Sequence, residues 1–205
     1  MKIFKNRQAA GQVLAERLQN TKADLVLGIP RGGVVVAAEI AHELNLPLDI
    51  IVTRKIGAST QPELALGAVD PDGETVLDQA LLDQLKIENL KLKIDEEMKE
   101  IKRRENLYRH TRPGLAKLVN GKTVILVDDG MATGVTTLAA VKYLKRHGAK
   151  VILAVPVAPQ EVVDKIRSEV DEAIFLEIPE YFQAVGQFYQ SFDPVSDEEV
   201  VQYLK

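Results

Sequence analysis

The sequence predicts an α/β fold in which a central parallel sheet carries helices on both faces. Three observations predict it. Short, mainly apolar runs at residues 25–29, 124–127 and 150–157 have the composition of strands buried on both sides. These runs alternate with amphipathic stretches of helical period, the pattern of βα units rather than of hairpins. Twice, at residues 25–44 and 124–147, the order is apolar strand, glycine turn, then helix.

Taken in order, residues 6–19 set Ala10, Val13, Leu14 and Leu18 at helical spacing behind Asn6, a residue suited to an N-cap. The strand at 25–29 ends in P-R-G-G, where Gly32 and Gly33 let backbone amides approach an anion and Arg31 adds fixed charge, before a helix over 34–44. The plain alternative is a tight βα connection. Residues 48–53 form the next strand, and Arg54 and Lys55 follow at its end, where ligand-facing residues of parallel sheets gather. Turn clusters then bracket apolar patches at 64–69 and 75–77, predicting a small antiparallel excursion over 56–78.

Residues 80–109 are densely charged. Ile87, Leu90, Ile94, Met98, Ile101 and Tyr108 make one apolar seam, and Glu100 is spaced to pair with Arg104, so one or two helices are expected. Such a seam packs on its own domain or serves a partner subunit, which keeps a homo-oligomer open. After the second βα unit, residues 150–157 and 172–178 read as strands around a helix at 160–169, with Pro156 marking a strand end and Pro159 a helix start. Seven of the ten aromatic residues lie from Phe175 onward, which predicts a local core or a binding platform.

The chemistry concentrates in residues 124–136, V-I-L-V-D-D-G-M-A-T-G-V-T. Asp128 and Asp129 stand where the strand ends, Gly130 and Gly134 permit a tight turn, and the hydroxyls of Thr133, Thr136 and Thr137 precede the helix at 138–147. A loop that gathers N–H groups at the positive end of a helix dipole suits a phosphate monoester. The two carboxylates would repel phosphate unless they face a sugar diol or the waters of a divalent cation. Phosphate, diol and metal together describe a phosphorylated ribose. A generic βα turn is the bland alternative. The run lacks the lysine of a P-loop and the glycine spacing of a dinucleotide fold, and a phosphatase or kinase-like domain lacks its lysine and acid signatures here.

Apolar strand, D-D, three residues, T-G, one residue and T together closely resemble the phosphoribosyl-pyrophosphate signature of the type I phosphoribosyltransferases. The resemblance implies a single domain over 1–205, with a flap and helical insertion at 56–118 and a small hood built from 1–20 and 175–205. It implies transfer of a 5-phosphoribosyl group from phosphoribosyl pyrophosphate to a nitrogen acceptor, expected to be a nucleobase, with release of pyrophosphate and with Mg²⁺ between pyrophosphate and ribose hydroxyls. Residue by residue, it gives the diol and metal to Asp128 and Asp129, the metal indirectly. The 5-phosphate falls to Gly130, Met131, Ala132, Thr133, Gly134, Val135 and Thr136. The pyrophosphate falls to Arg31, Gly32 and Gly33 and to the basic pair Arg54 and Lys55. Phe182, in F-Q-A-V-G-Q-F-Y, sits where purine salvage enzymes stack a base, but Tyr189 and Gln190 stand where those enzymes usually carry an acid, so purine specificity does not transfer. The tail resembles more closely an uncharacterised group of predicted phosphoribosyltransferases. A regulator that binds the donor without chemistry is the rival reading, disfavoured because a phosphate sensor has less need of intact D-D and R-K pairs.

At 205 residues and 46% hydrophobic content the chain can bury a full core, and a formal charge of −4 leaves no electrostatic footprint for nucleic acid or acidic membranes. The absence of cysteine excludes disulfides and thiolate chemistry. With no signal-peptide core and no apolar run of membrane-spanning length, a cytoplasmic location is expected. His42, His110 and His147 lie far apart and suit surface or structural roles better than metal ligation.

Overall fold

A computed structural model describes residues 3–58, 64–87 and 89–205. Its axis is β6 (Thr123–Val127), whose last four residues are buried. It pairs in parallel with β1 (Leu25–Gly28) on one side and β7 (Lys150–Val157) on the other. With β2 (Leu48–Ile50) beyond β1 and β8 (Glu172–Glu177) beyond β7, the parallel sheet has the order β2-β1-β6-β7-β8.

Strand alternation sorts the apolar runs into two cores. Val124 and Leu126 join Leu25, Leu27, Val151 and Leu153 on the face covered by α6 (Val135–Arg146) and α7 (Gln160–Arg167). Ile125 and Val127 join Val26, Ile152 and Ala154 on the face covered by α1 (Arg7–Leu18) and α2 (Gly32–Leu44). Asn6 caps α1 as its chemistry requires, its side chain accepting the Ala9 amide at 2.9 Å. β7 runs through Pro156 instead of ending there, because its pairing with β6 stops at Ala154 and the missing N–H interrupts no bond on that side.

The stretch expected to form a single strand at 48–53 divides. Its pairing with β1 ends at Ile50, and Arg54 and Lys55 open a strand of a second sheet rather than standing at the end of a parallel one. That sheet is antiparallel: β3 (Arg54–Gly57), β4 (Ala65–Val69) and β5 (Thr75–Leu77). Part of the expected G-A-S-T-Q-P-E turn, residues 59–63, lies outside the described residues.

Two helices follow, α3 (Gln79–Leu85) and α4 (Leu90–Arg109), as the charged, single-seam pattern predicts. Every seam residue from Ile87 to Tyr108 packs into one cluster with Val34, Ile56, Leu66 and Val200, so the seam serves its own chain. The end of α4 is fixed by a buried bidentate pair, Arg109 Nε and Nη2 donating to the two carboxylate oxygens of Asp49, each at 3.0 Å. Two short helices escaped the sequence reading, α5 (Leu115–Val119) and α8 (Asp197–Tyr203). The signal for α8 was present in S-D-E-E: Ser196 and Glu199 form a reciprocal capping box. The two chain ends meet where Phe4 N–H donates to Phe188 carbonyl and Gln190 N–H to Phe4 carbonyl, both at 2.8 Å. No helix among the described residues is long and apolar enough to cross a membrane.

Glu100 lies between Arg103 and Arg104, each Nε donating at 2.7 Å, while Arg103 also reaches Asp197 on α8. Hydrogen bonding from Arg103 above all, opposed by burial and reinforced by Arg104, holds the Glu100 carboxyl down to about 2. A depressed carboxylate contributes stability that is complete above its ordinary value near 4.5 and disappears as pH falls toward about 2. Glu100→Gln should therefore cost about 0.5–1 kcal/mol at neutral pH, the range for exposed pairs and small networks, and should flatten the decline in stability between about pH 5 and about pH 3. Urea midpoints at the two extremes check this; equal acid sensitivity in both proteins would contradict it.

Candidate active site

In a parallel sheet every strand ends on the same edge, so the turns after β1 and β6 and the start of the second sheet converge. After β6 come Asp128 and Asp129, then the loop to Gly134, whose φ of 71° lies in the left-handed region and lets the chain turn directly into α6. The first-turn amides of α6 have no intrahelical acceptors and face this loop. Met131 was expected to offer its backbone amide to the 5-phosphate, but that amide donates to Val157 carbonyl at 2.9 Å, and the side chain is buried in the core. Ala132 and Thr133 are exposed.

A cavity of about 210 Å³ lies within the turn, lined by Lys55, Asp128, Thr136, Thr137, Val185 and the 130–134 loop. The outer side of that loop borders a wider cleft of about 630 Å³ against β4, β5 and α7.

The two acids are not equivalent. Asp128 lines the cavity; its Oδ1 accepts the Asp129 amide at 2.9 Å and its Oδ2 the Thr137 hydroxyl at 3.4 Å. Burial, and after it the neighbouring Asp129 charge, raise the Asp128 carboxyl well above the ordinary carboxylate value. A carboxyl in this condition gains from any hydroxyl donor or cation brought beside it. Asp129 is instead engaged by Arg7, whose Nε donates to Oδ2 at 2.6 Å, and its backbone carbonyl accepts the Tyr189 hydroxyl at 2.5 Å. Burial, then the Asp129 charge, push the Tyr189 hydroxyl up.

Gly32 and Gly33 are explained by this pair. A Cβ at Gly32 would sit 1.9 Å from Asp129 Oδ2, and one at Gly33 would sit 2.9 Å from the Asp128 Cα. The P-R-G-G turn, whose Pro30–Arg31 bond is cis, thus packs directly on both acids.

Arg54 and Lys55 part company, because neighbours on a strand point to opposite faces. Lys55 reaches the cavity, whereas Arg54 Nε donates to Glu97 of α4 at 2.7 Å. Arg31 turns toward Asp197, 3.8 Å away, and is 42% exposed. Phe182 stacks on the buried Phe188 with ring centroids 5.6 Å apart, and Val185 is the tail residue that lines the cavity. Val135 opens α6 and borders the wider cleft. The sequence reading missed Arg7, Val185 and Tyr189, whose partners lie far off in the chain where spacing carries no signal. Thr137 was read only as a hydroxyl leading into the helix.

A family model described as a phosphoribosyl transferase domain matches residues 2–189. The chain belongs to that family, and its fold is the type I phosphoribosyltransferase fold. It is similar over its whole length to a Mycobacterium tuberculosis (strain H37Rv) protein that carries a provisional phosphoribosyl transferase name, with 42% identity over 212 residues. It covers 47% of that relative, so the chain spans about half the length of this curated protein. The crystal structure of TT1426 from Thermus thermophilus superposes with a TM-score of 0.80 at 41% identity, covering 100% of this chain and 98% of the other. An APRTase from Giardia lamblia, solved with 9-deazaadenine, shares the fold at a TM-score of 0.51 and 14% identity, covering 85% of this chain and 80% of its own.

Gly134 tests the loop geometry. A Cβ there would combine a left-handed backbone with a 2.7 Å approach to Val162 Cγ1. Gly134→Ala should lose about 1–3 kcal/mol of stability. Gly114→Ala, where a Cβ meets nothing within 4 Å, should stay within about 0.5 kcal/mol of the native protein. Urea unfolding of the two variants makes the comparison.

Proposed function

We propose that the protein transfers a 5-phosphoribosyl group from phosphoribosyl pyrophosphate to a nitrogen nucleophile on a planar acceptor, a nucleobase being the first candidate. The observation that carries this reading is the cavity in which Lys55, Asp128 and the Gly130–Gly134 loop meet, in a chain of this family. The loop amides other than that of Met131, together with the hydroxyls of Thr133 and Thr136, take the 5-phosphate. Asp128 and Asp129 take the ribose diol. Gly32, Gly33 and Arg31 supply the pyrophosphate's amides and part of its charge, and of the basic pair Lys55 is the member that serves it directly.

The donor set around Asp128 consists of carboxylate and hydroxyl oxygens, which suits Mg²⁺. Among the described residues no cluster of three or more His, Cys, Asp or Glu could hold a metal, so the ion would be held by Asp128 and Asp129 through waters and by the donor's own oxygens. When bound, it would neutralise charge on the leaving pyrophosphate.

In the reaction the bond from C1 of the ribose to the pyrophosphate oxygen breaks, and its electron pair leaves with the pyrophosphate. A C–N bond to the acceptor forms, and the nitrogen's proton passes to solvent. The chain contributes positioning and electrostatic stabilisation, with no covalent nucleophile. The tail around Phe182 and Val185 faces the acceptor. The composition favours a cytoplasmic setting.

The test is pyrophosphate release with donor, Mg²⁺ and a panel of nucleobases. Lys55→Ala should lower turnover about tenfold or more while sparing ribose 5-phosphate affinity, since charge on the leaving group grows in the transition state. Arg54→Ala should chiefly reduce stability, because it strands Glu97. Donor binding without release for any acceptor would favour the regulatory reading. Native turnover in Lys55→Ala would move the pyrophosphate site elsewhere.

A further inference from the structure

Arg7 is nearly buried, with 11% of its side chain exposed, yet it is absent from the family signature read in the sequence. Its guanidinium has three partners from two distant parts of the chain, the strand end at Asp129 and the tail at Phe192 and Asp193. Nε donates to Asp129 Oδ2 at 2.6 Å, Nη1 donates to the Asp193 carbonyl at 2.8 Å, and Cζ lies 3.8 Å from the centroid of the Phe192 ring. Gly32 leaves space for this group, since a Cβ there would approach Arg7 Nε to 2.8 Å. Arg7 itself stands in the first turn of α1, whose cap Asn6 fixes the backbone.

We propose that Arg7 is a positioning residue for the donor's ribose, holding the Asp129 carboxylate in place and tying it to the C-terminal tail. The inference rests on the functional reading above. A fixed guanidinium suits this role, because its planar fork holds one carboxylate oxygen in a defined direction while its face rests on an aromatic ring. A structural strut alone would need no contact with the second acid of the D-D pair. Two adjacent carboxyls at one strand end repel each other, and a cation on the far side of Asp129 permits both to remain beside the loop. The same contact makes the tail sensitive to the donor site, because Phe192 and Asp193 share the guanidinium with Asp129.

The experiment is calorimetry of native protein, Arg7→Ala and Arg7→Lys with three probes: inorganic phosphate, ribose 5-phosphate and phosphoribosyl pyrophosphate with Mg²⁺. Phosphate reads the loop alone, whereas the other two also present a diol. Arg7→Ala should weaken both ribose ligands by about tenfold, the scale of one lost charge-assisted hydrogen bond, and leave phosphate within about twofold. Arg7→Lys should fall between native and Ala, because it restores charge without the fork. If Arg7→Ala does not fold, Arg7→Lys and Phe192→Leu carry the test, each expected to weaken the ribose ligands selectively. Native binding of all three probes with unchanged ribose affinities in the variants overturns the inference alone, as does a parallel loss for phosphate, which marks a merely structural role. A native protein that binds phosphate but neither ribose ligand overturns the functional reading and the inference with it.

Discussion

Burial of β6 on both faces is the constraint on which the remaining architecture depends. Val124–Val127 expose nothing, so both flanking strands must pair with β6, and both helical layers must cover it. Parallel pairing then brings the polar ends of β1 and β6 out at one edge, side by side. The proximity of the P-R-G-G turn to the D-D pair is a direct result, visible in the two glycines that a methyl group would drive into the acids. A hydrophobic requirement in the middle of the sheet thus sets the geometry of charged groups at its rim.

Those charged groups are held by parts of the chain remote in sequence. Arg7 and Asp129 are 122 positions apart, and Tyr189 closes on Asp129 from the other end. The ends themselves are joined backbone to backbone around Phe4. The aromatic cluster behind them, Phe4, Phe188 and Tyr189 with Phe182 and Phe192 beside it, supplies the apolar support that lets a hydroxyl and a guanidinium reach the site in low-dielectric surroundings. The tail is therefore partly a local core and partly a wall of the cavity, through Val185.

Much of this was legible in the sequence wherever a local rule suffices. The 124–136 run showed its strand, turn and helix because apolar composition, paired acids and left-handed glycine each leave a mark in a few consecutive residues. The seam from Ile87 to Tyr108 was legible because helical period is a local property. What stayed hidden depends on facing and on distant pairing. Arg54 and Lys55 looked alike as neighbours, yet alternation sends one to Glu97 and the other to the cavity. The change of sheet after Ile50 left no mark, because Ile50, Ile51 and Val52 run on as consecutive apolar residues across the point where the pairing stops. Arg7 has no local signature at all, and α8 had one, its capping box, overshadowed by the aromatic content of the tail.

The buried pair between Asp49 and Arg109 bears on how far such a chain can be pared down. The long insertion between β3 and β6 resembles an accessory, and a designer seeking a minimal scaffold would remove it first. Yet its far end supplies the counter-charge for a carboxylate 3% exposed in β2, beside the strand that carries the P-R-G-G turn. Excision would maroon that carboxylate in the core, a far larger penalty than the loss of a surface helix. Asp49 also lies 3.5 Å from Arg112, and Arg109 also donates to the Pro113 carbonyl, so the pair belongs to a small network whose other members sit in the same insertion. Any shortened descendant of this chain must therefore rewrite its second strand in the same step.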